Sequence, residues 1–321
     1  MTRAFVFPGQ GAQTIGMGKA LAEAYPAAKA VFDEVDEALG EKLSALIWEG
    51  EQEMLTLTEN AQPALMATSL AALRALEAEG VRVADAAFVA GHSLGEYSAL
   101  AAAGAMSVAD TARLLRIRGQ AMQEAVPVGV GAMAALLGLD FETVKAVAES
   151  AVSQLASETG ERYVCEAAND NDPGQVVVSG HKQAVERACV IAKERGAKRA
   201  VMLPVSAPFH CALMQPAAEV MARALAEVDM DRPAVPLVAN VSARAISDPA
   251  TIYNLLVEQV IGTVRWRESV QFMVDEGVTE FWEIGAGKAL SGMIRRIDRS
   301  ASTRAIGMPE DVVAAIDSLK E

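Results

Sequence analysis

Short runs of apolar residues alternate along the chain with longer stretches in which apolar residues recur every three or four positions. The first run, at 3–7, predicts a strand, and a glycine-rich loop extends from Pro8 to Gly18. Helical periodicity then predominates up to a second apolar run at 86–90, and again from there to Ala125. Because strands that alternate with helices build layered folds, this part of the chain predicts an α/β domain with a parallel sheet.

The region from 128 to 204 has a different order of elements. After a break at Pro127, the pattern predicts in turn a strand, a helix, two strands, a helix and a strand, at 132–137, 141–155, 163–167, 175–179, 182–195 and 199–204. This βαββαβ order is that of the ferredoxin-like unit. We therefore expect a small ferredoxin-like domain, residues 128–204, inserted into a large domain made of residues 1–127 and 205–321.

Composition limits the class of protein. The chain has 321 residues of which 52% are hydrophobic, enough for a large core, and its net charge of −14 argues against an extended nucleic-acid-binding surface. Its cysteines, Cys165, Cys189 and Cys211, contain no C-x-x-C pair and favour a reducing cytoplasm. We expect neither a secretion signal nor a membrane span, because no uncharged apolar stretch approaches ~18 residues.

The most informative motif, Gly91-His92-Ser93-Leu94-Gly95, follows the second apolar run. G-x-S-x-G between a strand and a helix is the nucleophile elbow of α/β-hydrolase-like domains. The glycines remove side chains that would collide in a sharp turn, and the N–H groups at the start of the helix can bind an oxyanion. The alternative is an ordinary Gly/Ser turn, but the strand before it and the helix after it favour a catalytic serine.

A serine hydroxyl needs a base at neutral pH, and the chain has three histidines, His92, His181 and His210. His92 precedes the nucleophile, and the turn directs its side chain away from Ser93. His181 begins the second helix of the small domain and is expected at the surface. His210 lies in a loop before the helix that begins near Pro216, at the junction of the two expected domains. We therefore predict that His210 is the base, the alternative being a core or surface imidazole.

Arg118 interrupts an apolar helix face. In the helix predicted from Val108 to Ala125, a rotation of ~100° per residue places Arg118 among apolar residues and the other charged residues on the opposite face. A guanidinium that faces inward needs an anion, and its planar fork suits a carboxylate. The residues alone leave three alternatives open: a carboxylate ligand, an internal ion pair, or a side chain whose charged end reaches solvent.

Together these segments resemble the malonyl-CoA:acyl-carrier-protein transacylases, an acyltransferase family of fatty acid synthesis. The resemblance extends over essentially the whole chain. The matching segments are FVFPGQGAQ at 5–13, GHSLGEYSAL at 91–100, RGQAMQ at 118–123, NDNDPGQVVVSG at 169–180 and FHCALMQPA at 209–217. One departure is Ala286, at a position in a Gly-x-Gly turn where many members have proline.

The resemblance implies roles for the matching residues. Ser93 would be the nucleophile, His210 the base, and Arg118 the group that binds the malonyl carboxylate. The main-chain N–H groups of Gln10 and Leu94 would form the oxyanion hole. These five residues would be the chemical centre of the site.

Four further residues are implied at the substrate side of the site. The main-chain carbonyl of Gln259 would orient the imidazole in place of a triad aspartate. Asn169 and Asn171 match a loop beside the substrate. Phe209 matches a position where a bulky side chain disfavours a branched acyl group.

The activity implied is transfer of a malonyl group from malonyl-CoA to the phosphopantetheine thiol of acyl carrier protein. It would proceed in two half-reactions through a malonyl-serine ester, without a metal or an organic cofactor. The partners implied are malonyl-CoA and the carrier protein, with no nucleic acid and no membrane. The chain would be a cytoplasmic monomer.

Three other functions remain alternatives at this point. A serine esterase or thioesterase would need an aspartate between Ser93 and His210, and three of the four candidates fall in the inserted region: Asp110, Asp140, Asp170 and Asp172. Such an enzyme would also leave Arg118 unexplained. A non-catalytic module that docks carrier protein would not need Ser93, His210 and Arg118. An acyltransferase of a polyketide pathway is compatible with every motif.

Docking of an acidic carrier protein requires a local basic surface on this acidic chain. Two segments could supply it. One is in the small domain and the other in what we predict to be the last helix: Lys193, Arg195, Lys198 and Arg199, and Lys288, Arg295, Arg296 and Arg299.

Overall fold

The computed structural model describes residues 2–205 and 207–320, which form two sheets and the helices around them. The strands are β1 (Arg3–Phe7), β2 (Phe88–Gly91), β3 (Gly131–Leu137), β4 (Cys165–Asp172), β5 (Gln175–His181), β6 (Arg199–Met202), β7 (Leu237–Val238), β8 (Ala245–Ile246), β9 (Glu280–Ile284) and β10 (Ser302–Ile306). The helices are α1 (Lys19–Ala24), α2 (Pro26–Leu39), α3 (Leu43–Glu49), α4 (Gln52–Thr56), α5 (Thr58–Ala78), α6 (Gly95–Ala102), α7 (Val108–Glu124), α8 (Phe141–Thr159), α9 (Lys182–Glu194), α10 (Gln215–Ala226), α11 (Pro249–Gln259), α12 (Trp266–Asp275), α13 (Ala289–Ile297) and α14 (Pro309–Asp317).

The larger sheet has six strands in the order β10-β9-β1-β2-β7-β8. The first five run parallel to their neighbours, as predicted for an α/β fold, and β8 pairs antiparallel with β7 at one edge. This edge hairpin corrects the expectation of a purely parallel sheet. Its strands have two residues each, too few to show any periodicity in sequence. Residues 4–7 of β1 are fully buried because helices cover both faces of the parallel core.

The smaller sheet has four antiparallel strands in the order β4-β5-β3-β6. Helices α8 and α9 pack on one face and share an apolar cluster with it that includes Leu136, Val147 and Val185. Since successive side chains of a strand point to opposite faces, Met133 and Val177 face the other way and join the core cluster of the larger sheet. The second sheet therefore contributes one face to the body of the molecule.

Strand β4 is longer and more polar than the sequence predicts. We expected a strand at 163–167, whereas β4 spans Cys165–Asp172 and continues through the polar run 169–172, with irregular register against β5. Asn and Asp are depleted in strands, so the predicted strand ended at 167, before this run. The run is nonetheless buried.

Ion pairs and backbone bonds explain this burial. Asp170 accepts a hydrogen bond from Arg267 at 3.0 Å, and Asp172 accepts one from Arg296 at 2.7 Å. The main-chain N–H of Asp170 donates to the oxygen of Val264 at 2.9 Å. These bonds fasten β4 of the smaller sheet to α12 and α13 beside the larger one.

Other predicted boundaries differ from the observed ones by a few residues. One expectation is wrong in kind: the helix that carries Arg295 is not the last, because β10 and α14 follow α13. Lys288 precedes α13 as its N-cap residue, and Arg299 lies beyond its end. No helix within residues 2–205 and 207–320 has the length and apolar content needed to span a membrane.

Candidate active site

Ser93 lies in the turn between β2 and α6 with φ of +54°, a left-handed conformation that is unfavourable for a residue with a side chain. The two motif glycines make room for this turn. A Cβ atom at Gly91 would lie 1.9 Å from the main-chain carbonyl carbon of Gly95, and one at Gly95 would lie 2.2 Å from the oxygen of Phe7. Both positions therefore require glycine for steric reasons.

Hydrogen bonds from distant parts of the chain hold the turn. The main-chain N–H of Ser93 donates to Oδ1 of Asn240 at 2.8 Å, and Nδ2 of Asn240 donates to the oxygen of Gly91 at 2.7 Å. The Nε2 atom of Gln259 donates to the oxygen of Ser93 at 2.9 Å. Two amide side chains thus stabilise the strained backbone of the serine.

His210 lies beside the serine. Its Nε2 is 2.7 Å from Oγ of Ser93, and its Nδ1 is 2.9 Å from the main-chain oxygen of Gln259. Because a carbonyl oxygen only accepts, Nδ1 carries the proton and Nε2 is free to accept one from the hydroxyl. Burial and, next, the positive charge of Arg118 lower the pKa of His210 to about 3, so the ring is neutral. This is the geometry required of a general base.

The Arg118 side chain, 1% exposed, projects from α7 into the same site. It donates to Oε1 of Gln62 and Oε1 of Gln259, both at 2.8 Å, and to Oγ of Ser93 at 3.2 Å. All three partners are uncharged. None of the ion pairs found within residues 2–205 and 207–320 includes Arg118. A buried cation without a carboxylate partner can receive one from a ligand.

The loop after β1 packs directly against the elbow. A Cβ atom at Gly9 would lie 2.7 Å from the main-chain oxygen of His92, so the close approach of the two backbones depends on glycine there. As a result Gln10, the next residue, lines the same cavity as Ser93 and Leu94. The two predicted oxyanion-hole residues therefore flank the serine.

A cavity of about 490 Å³ opens above the serine. Residues on the smaller sheet form one wall, among them the predicted Asn169 and Asn171, and Phe209 also lines it. Oδ1 of Asn171 accepts a hydrogen bond from Nε2 of His92 at 2.8 Å, which ties the smaller sheet to the elbow. Gln259 is not among the lining residues; it lies behind the site, fully buried.

Sequence reasoning missed several residues of this site. Gln62 on α5 binds the guanidinium, Asn240 supports the elbow, and Glu96 lies fully buried behind it. Gln62 and Asn240 lie outside every motif that the sequence analysis identified. For Glu96 there was a signal, because it follows the motif directly in a run that is otherwise apolar or small.

Comparison with known proteins agrees with this geometry. A family model described as an acyl transferase domain matches residues 4–306. The malonyl CoA-acyl carrier protein transacylase of Bacillus subtilis is 50% identical over 318 residues, which are 99% of this chain and 97% of that protein. The transacylase of Escherichia coli K12 is 44% identical over 98% of each chain.

Solved structures give the same result. The acyl-carrier-protein S-malonyltransferase of Bartonella henselae is 55% identical, has a TM-score of 0.94 and covers 100% of both chains. A type II PKS acyl-carrier protein in complex with its malonyl-transacylase matches with a TM-score of 0.93 and 40% identity, over 99% of this chain and 100% of that one. The chain belongs to the acyltransferase family of the malonyl CoA-acyl carrier protein transacylases.

Proposed function

We propose that this acyltransferase moves the malonyl group of malonyl-CoA to the phosphopantetheine thiol of acyl carrier protein through an ester on Ser93. One observation carries the proposal: the buried guanidinium of Arg118 has only uncharged partners and lies 3.2 Å from the serine oxygen. A malonyl thioester has a carboxylate two bonds from its reacting carbonyl carbon. It can therefore offer an anion to Arg118 and an electrophile to Ser93 together.

In the first half-reaction Oγ of Ser93 attacks the thioester carbonyl carbon while its proton passes to Nε2 of His210. The oxyanion receives hydrogen bonds from the main-chain N–H groups of Gln10 and Leu94. The tetrahedral intermediate then collapses and the bond to sulfur breaks. The proton on His210 passes to the leaving thiolate, so that CoA departs as a thiol and malonyl-Ser93 remains.

In the second half-reaction the thiol of the carrier protein occupies the position that CoA has left. Nε2 of His210 takes the thiol proton, and the sulfur attacks the ester carbonyl carbon. Collapse of the intermediate breaks the bond to Oγ of Ser93, which recovers its proton from His210. The malonyl group leaves as a thioester and the free enzyme is restored.

The partner of Nδ1 supports acyl transfer over the esterase alternative. A Ser…Asp…His triad would place a carboxylate at Nδ1 of His210, but the partner there is the main-chain oxygen of Gln259. Hydrolysis would also give Arg118 no function, whereas a clamp on the acyl carboxylate keeps the ester aligned for a bound thiol. The intact set of Ser93, His210 and Arg118 argues equally against a non-catalytic docking module.

The experiment is intact-protein mass spectrometry after addition of malonyl-CoA, with and without carrier protein. We expect a malonyl adduct on the wild type that disappears when phosphopantetheinylated carrier is added, with malonyl-carrier as the product. Ser93→Ala should form no adduct. An adduct on that variant, or loss of the wild-type adduct to free malonate without carrier, would refute the proposal.

A polyketide carrier is a second candidate acceptor. The complex matched above pairs a type II PKS acyl-carrier protein with a malonyl-transacylase that is 40% identical to this chain. The two candidates share the loading of Ser93 and differ only in the acceptor. Comparison of kcat/KM for carriers of both kinds, with the enzyme preloaded with malonyl, distinguishes them.

We also propose a finer architecture. Residues 128–204 would be a ferredoxin-like domain, supported by the strand order β4-β5-β3-β6 with α8 and α9 on one face. Residues 1–127 and 205–321 would be an α/β-hydrolase-like domain, supported by the elbow at the carboxyl end of β2. Limited proteolysis of the whole chain should cut first near 127 or 204, and light scattering should give the mass of a monomer.

A further inference from the structure

Glu96 is a fully buried carboxylate that does not line the cavity. It lies in the first turn of α6, three residues after the nucleophile. Its Oε2 accepts hydrogen bonds from Nε2 of Gln259 at 2.8 Å and from the main-chain N–H of Asn240 at 3.1 Å. Its Oε1 has no hydrogen-bond partner in the described part of the chain. An acidic group so placed is costly to bury and calls for a functional reason.

The cost is visible in its ionisation. Burial raises the pKa of the Glu96 carboxyl to about 7, although the hydrogen bonds from Gln259 and Asn240 and the charge of Arg118 oppose the rise. A glutamine at position 96 would fill the same volume without this cost. Unlike an amide, an ionised carboxylate only accepts hydrogen bonds, whichever way it is rotated.

Glu96 is one of the groups that orient the side-chain amide of Gln259. The two ends of a glutamine amide have the same shape, and their hydrogen-bond partners decide the orientation. The nitrogen end faces three acceptors, Oε2 of Glu96 at 2.8 Å, the oxygen of Ser93 at 2.9 Å and Oδ1 of Asn240 at 3.3 Å. The oxygen end consequently faces Nη2 of Arg118 at 2.8 Å. A rotated amide would place its NH₂ against the guanidinium and its oxygen against a carboxylate.

We propose that Glu96 is a positioning residue which, through the side-chain amide of Gln259, holds the Arg118 guanidinium in place to bind the acyl carboxylate. The inference rests on the proposed function, since it requires that carboxylate to be the ligand of Arg118. Glu96 touches neither substrate nor the reacting atoms. The side-chain amide of Gln259 lies between Glu96 and the guanidinium.

Glu96→Gln is the sharpest test because it keeps the volume and removes the charge. An amide at 96 can turn its NH₂ toward Gln259, which leaves only the oxygens of Ser93 and Asn240 to hold the nitrogen end of that side chain. Loss of a charged hydrogen bond, worth about 1.5–3 kcal/mol, corresponds to roughly a 10- to 100-fold change. We expect the malonyl-CoA concentration at half-maximal rate of Ser93 acylation to rise about tenfold. The value for acetyl-CoA, which has no distal carboxylate, should change less than twofold.

Two further variants isolate the path through Gln259. Gln259→Met keeps the length of the side chain and the main-chain carbonyl that His210 uses, but removes the amide. Because this amide also binds the oxygen of Ser93, acylation by both CoA esters should fall, but the loss should be larger for malonyl-CoA than for acetyl-CoA. This variant serves as the test if the Glu96 variant does not fold. Adding Glu96→Gln to Gln259→Met should change the malonyl-CoA concentration at half-maximal rate less than twofold, because the amide that links Glu96 to Arg118 is already absent.

If Glu96→Gln weakened acylation by malonyl-CoA and by acetyl-CoA equally, Glu96 would be a packing residue and the inference would be wrong. The inference would also be wrong if Glu96→Gln lowered the affinity for malonyl-CoA as much in Gln259→Met as in the wild type. A Gln259→Met variant with unchanged malonyl-CoA affinity would also overturn it. These outcomes are distinguishable from failure of the proposed function. If the proposed function failed, the wild type itself would form no malonyl-Ser93, and both proposals would be wrong.

Discussion

The Nδ1 atom of His210 is 2.9 Å from the main-chain oxygen of Gln259, the position of the aspartate in a serine protease triad. A carbonyl dipole fixes the tautomer of the ring as a carboxylate does, but it carries no net negative charge to stabilise an imidazolium. With burial and the nearby guanidinium of Arg118, the pKa of His210 falls to about 3. The base is therefore in its neutral form throughout the neutral and mildly acidic range.

This ionisation predicts how acylation depends on pH. At saturating malonyl-CoA, the single-turnover rate of Ser93 acylation should show no step near pH 6.5, where an ordinary histidine titrates. Rapid-quench measurement of the adduct between about pH 5 and 8 tests this. Since the pKa of Glu96 is about 7, the same profile is measured on Glu96→Gln, and a sigmoidal loss of rate centred near 6.5 in both proteins would show that His210 titrates normally.

The same shift predicts an effect on stability. Because the folded-state pKa of His210 lies below the ordinary histidine pKa of about 6.5, the unfolded chain binds more protons between about pH 3 and 6.5. The free energy of unfolding contributed by this group is therefore lost as pH falls through that range. His210→Ala should lose less stability than the wild type between pH 7 and 5 in denaturant titrations, with His181→Ala as the control. If the free energy of unfolding fell equally with pH in His210→Ala and in the wild type, the prediction would be wrong.

Arg118→Ala should impair transfer of malonyl far more than transfer of acetyl. Only malonyl has a distal carboxylate for the guanidinium, and loss of one member of a desolvated pair costs ~2–5 kcal/mol, or roughly 30- to 4,000-fold. The measurement is kcat/KM for Ser93 acylation with each CoA ester.

Arg113→Ala is the matched control for this prediction. Arg113 is on the same helix, and its half-exposed side chain pairs with Asp110. It should leave the ratio of malonyl to acetyl transfer unchanged. An equal loss of both activities in Arg118→Ala would mean that the arginine is only structural.

Gly91→Ala should prevent stable folding. The added Cβ would lie 1.9 Å from the backbone of Gly95, and neither strand β2 nor helix α6 can move away without disrupting the core. We expect a cost on the order of 4 kcal/mol or more in the free energy of unfolding. Gly292→Ala, inside α13, is the control, because its Cβ would meet only the end of Arg296 at 3.6 Å.

Replacement of these two glycines by alanine should change the free energy of unfolding in opposite directions. Alanine is favoured over glycine inside a helix by ~1 kcal/mol, so Gly292→Ala should stabilise the protein. Thermal and denaturant unfolding of both variants provide the measurement. A Gly91→Ala protein as stable as the wild type would show that the elbow has a different backbone from the one described.

Charge reversal on α13 should weaken use of the carrier protein. Leu290 and Met293 of this helix line the cavity, Lys288 and Arg295 are exposed on the same segment, and Arg296 is paired with Asp172. Lys288→Glu with Arg295→Glu should raise the KM for carrier about fivefold, from rim charges worth ~0.5 kcal/mol each, and weaken its salt dependence. Loading of Ser93 by malonyl-CoA should be unaffected.

The second basic segment provides the comparison. Lys193→Glu with Lys198→Glu reverses two exposed charges, one on α9 and one in the loop between α9 and β6. Should neither double variant change the KM for carrier, electrostatic docking at both segments is wrong and the contact lies elsewhere around the cavity.

Local sequence was sufficient wherever a feature is built from neighbouring residues. The elbow is one example, because a strand, two glycines and a helix within a dozen positions define the turn. The inward orientation of Arg118 is another example, since helical periodicity over the 17 residues of α7 places this arginine among buried apolar neighbours. The alternation of strands and helices likewise predicted both the parallel core and the antiparallel sheet.

Features that depend on distant partners could not be predicted. The predicted strand ended at 167, before the polar run 169–172, which extends strand β4 only because Arg267 and Arg296, about 100 residues further along the chain, neutralise its carboxylates. Asn240 supports Ser93 across a separation of 147 residues. Nothing near Asn240 in sequence distinguishes it from an ordinary loop asparagine.

The two walls of the cavity come from different stretches of the polypeptide. The nucleophile, the base and the guanidinium all belong to the body around the six-stranded sheet, while Met133, Asn169 and Val177 come from the continuous segment 131–202. Acyl-group preference can therefore be altered within one uninterrupted stretch of gene without touching the reacting atoms. In a library confined to that stretch, the chemistry would remain constant while the space beside the ester varies in depth and polarity.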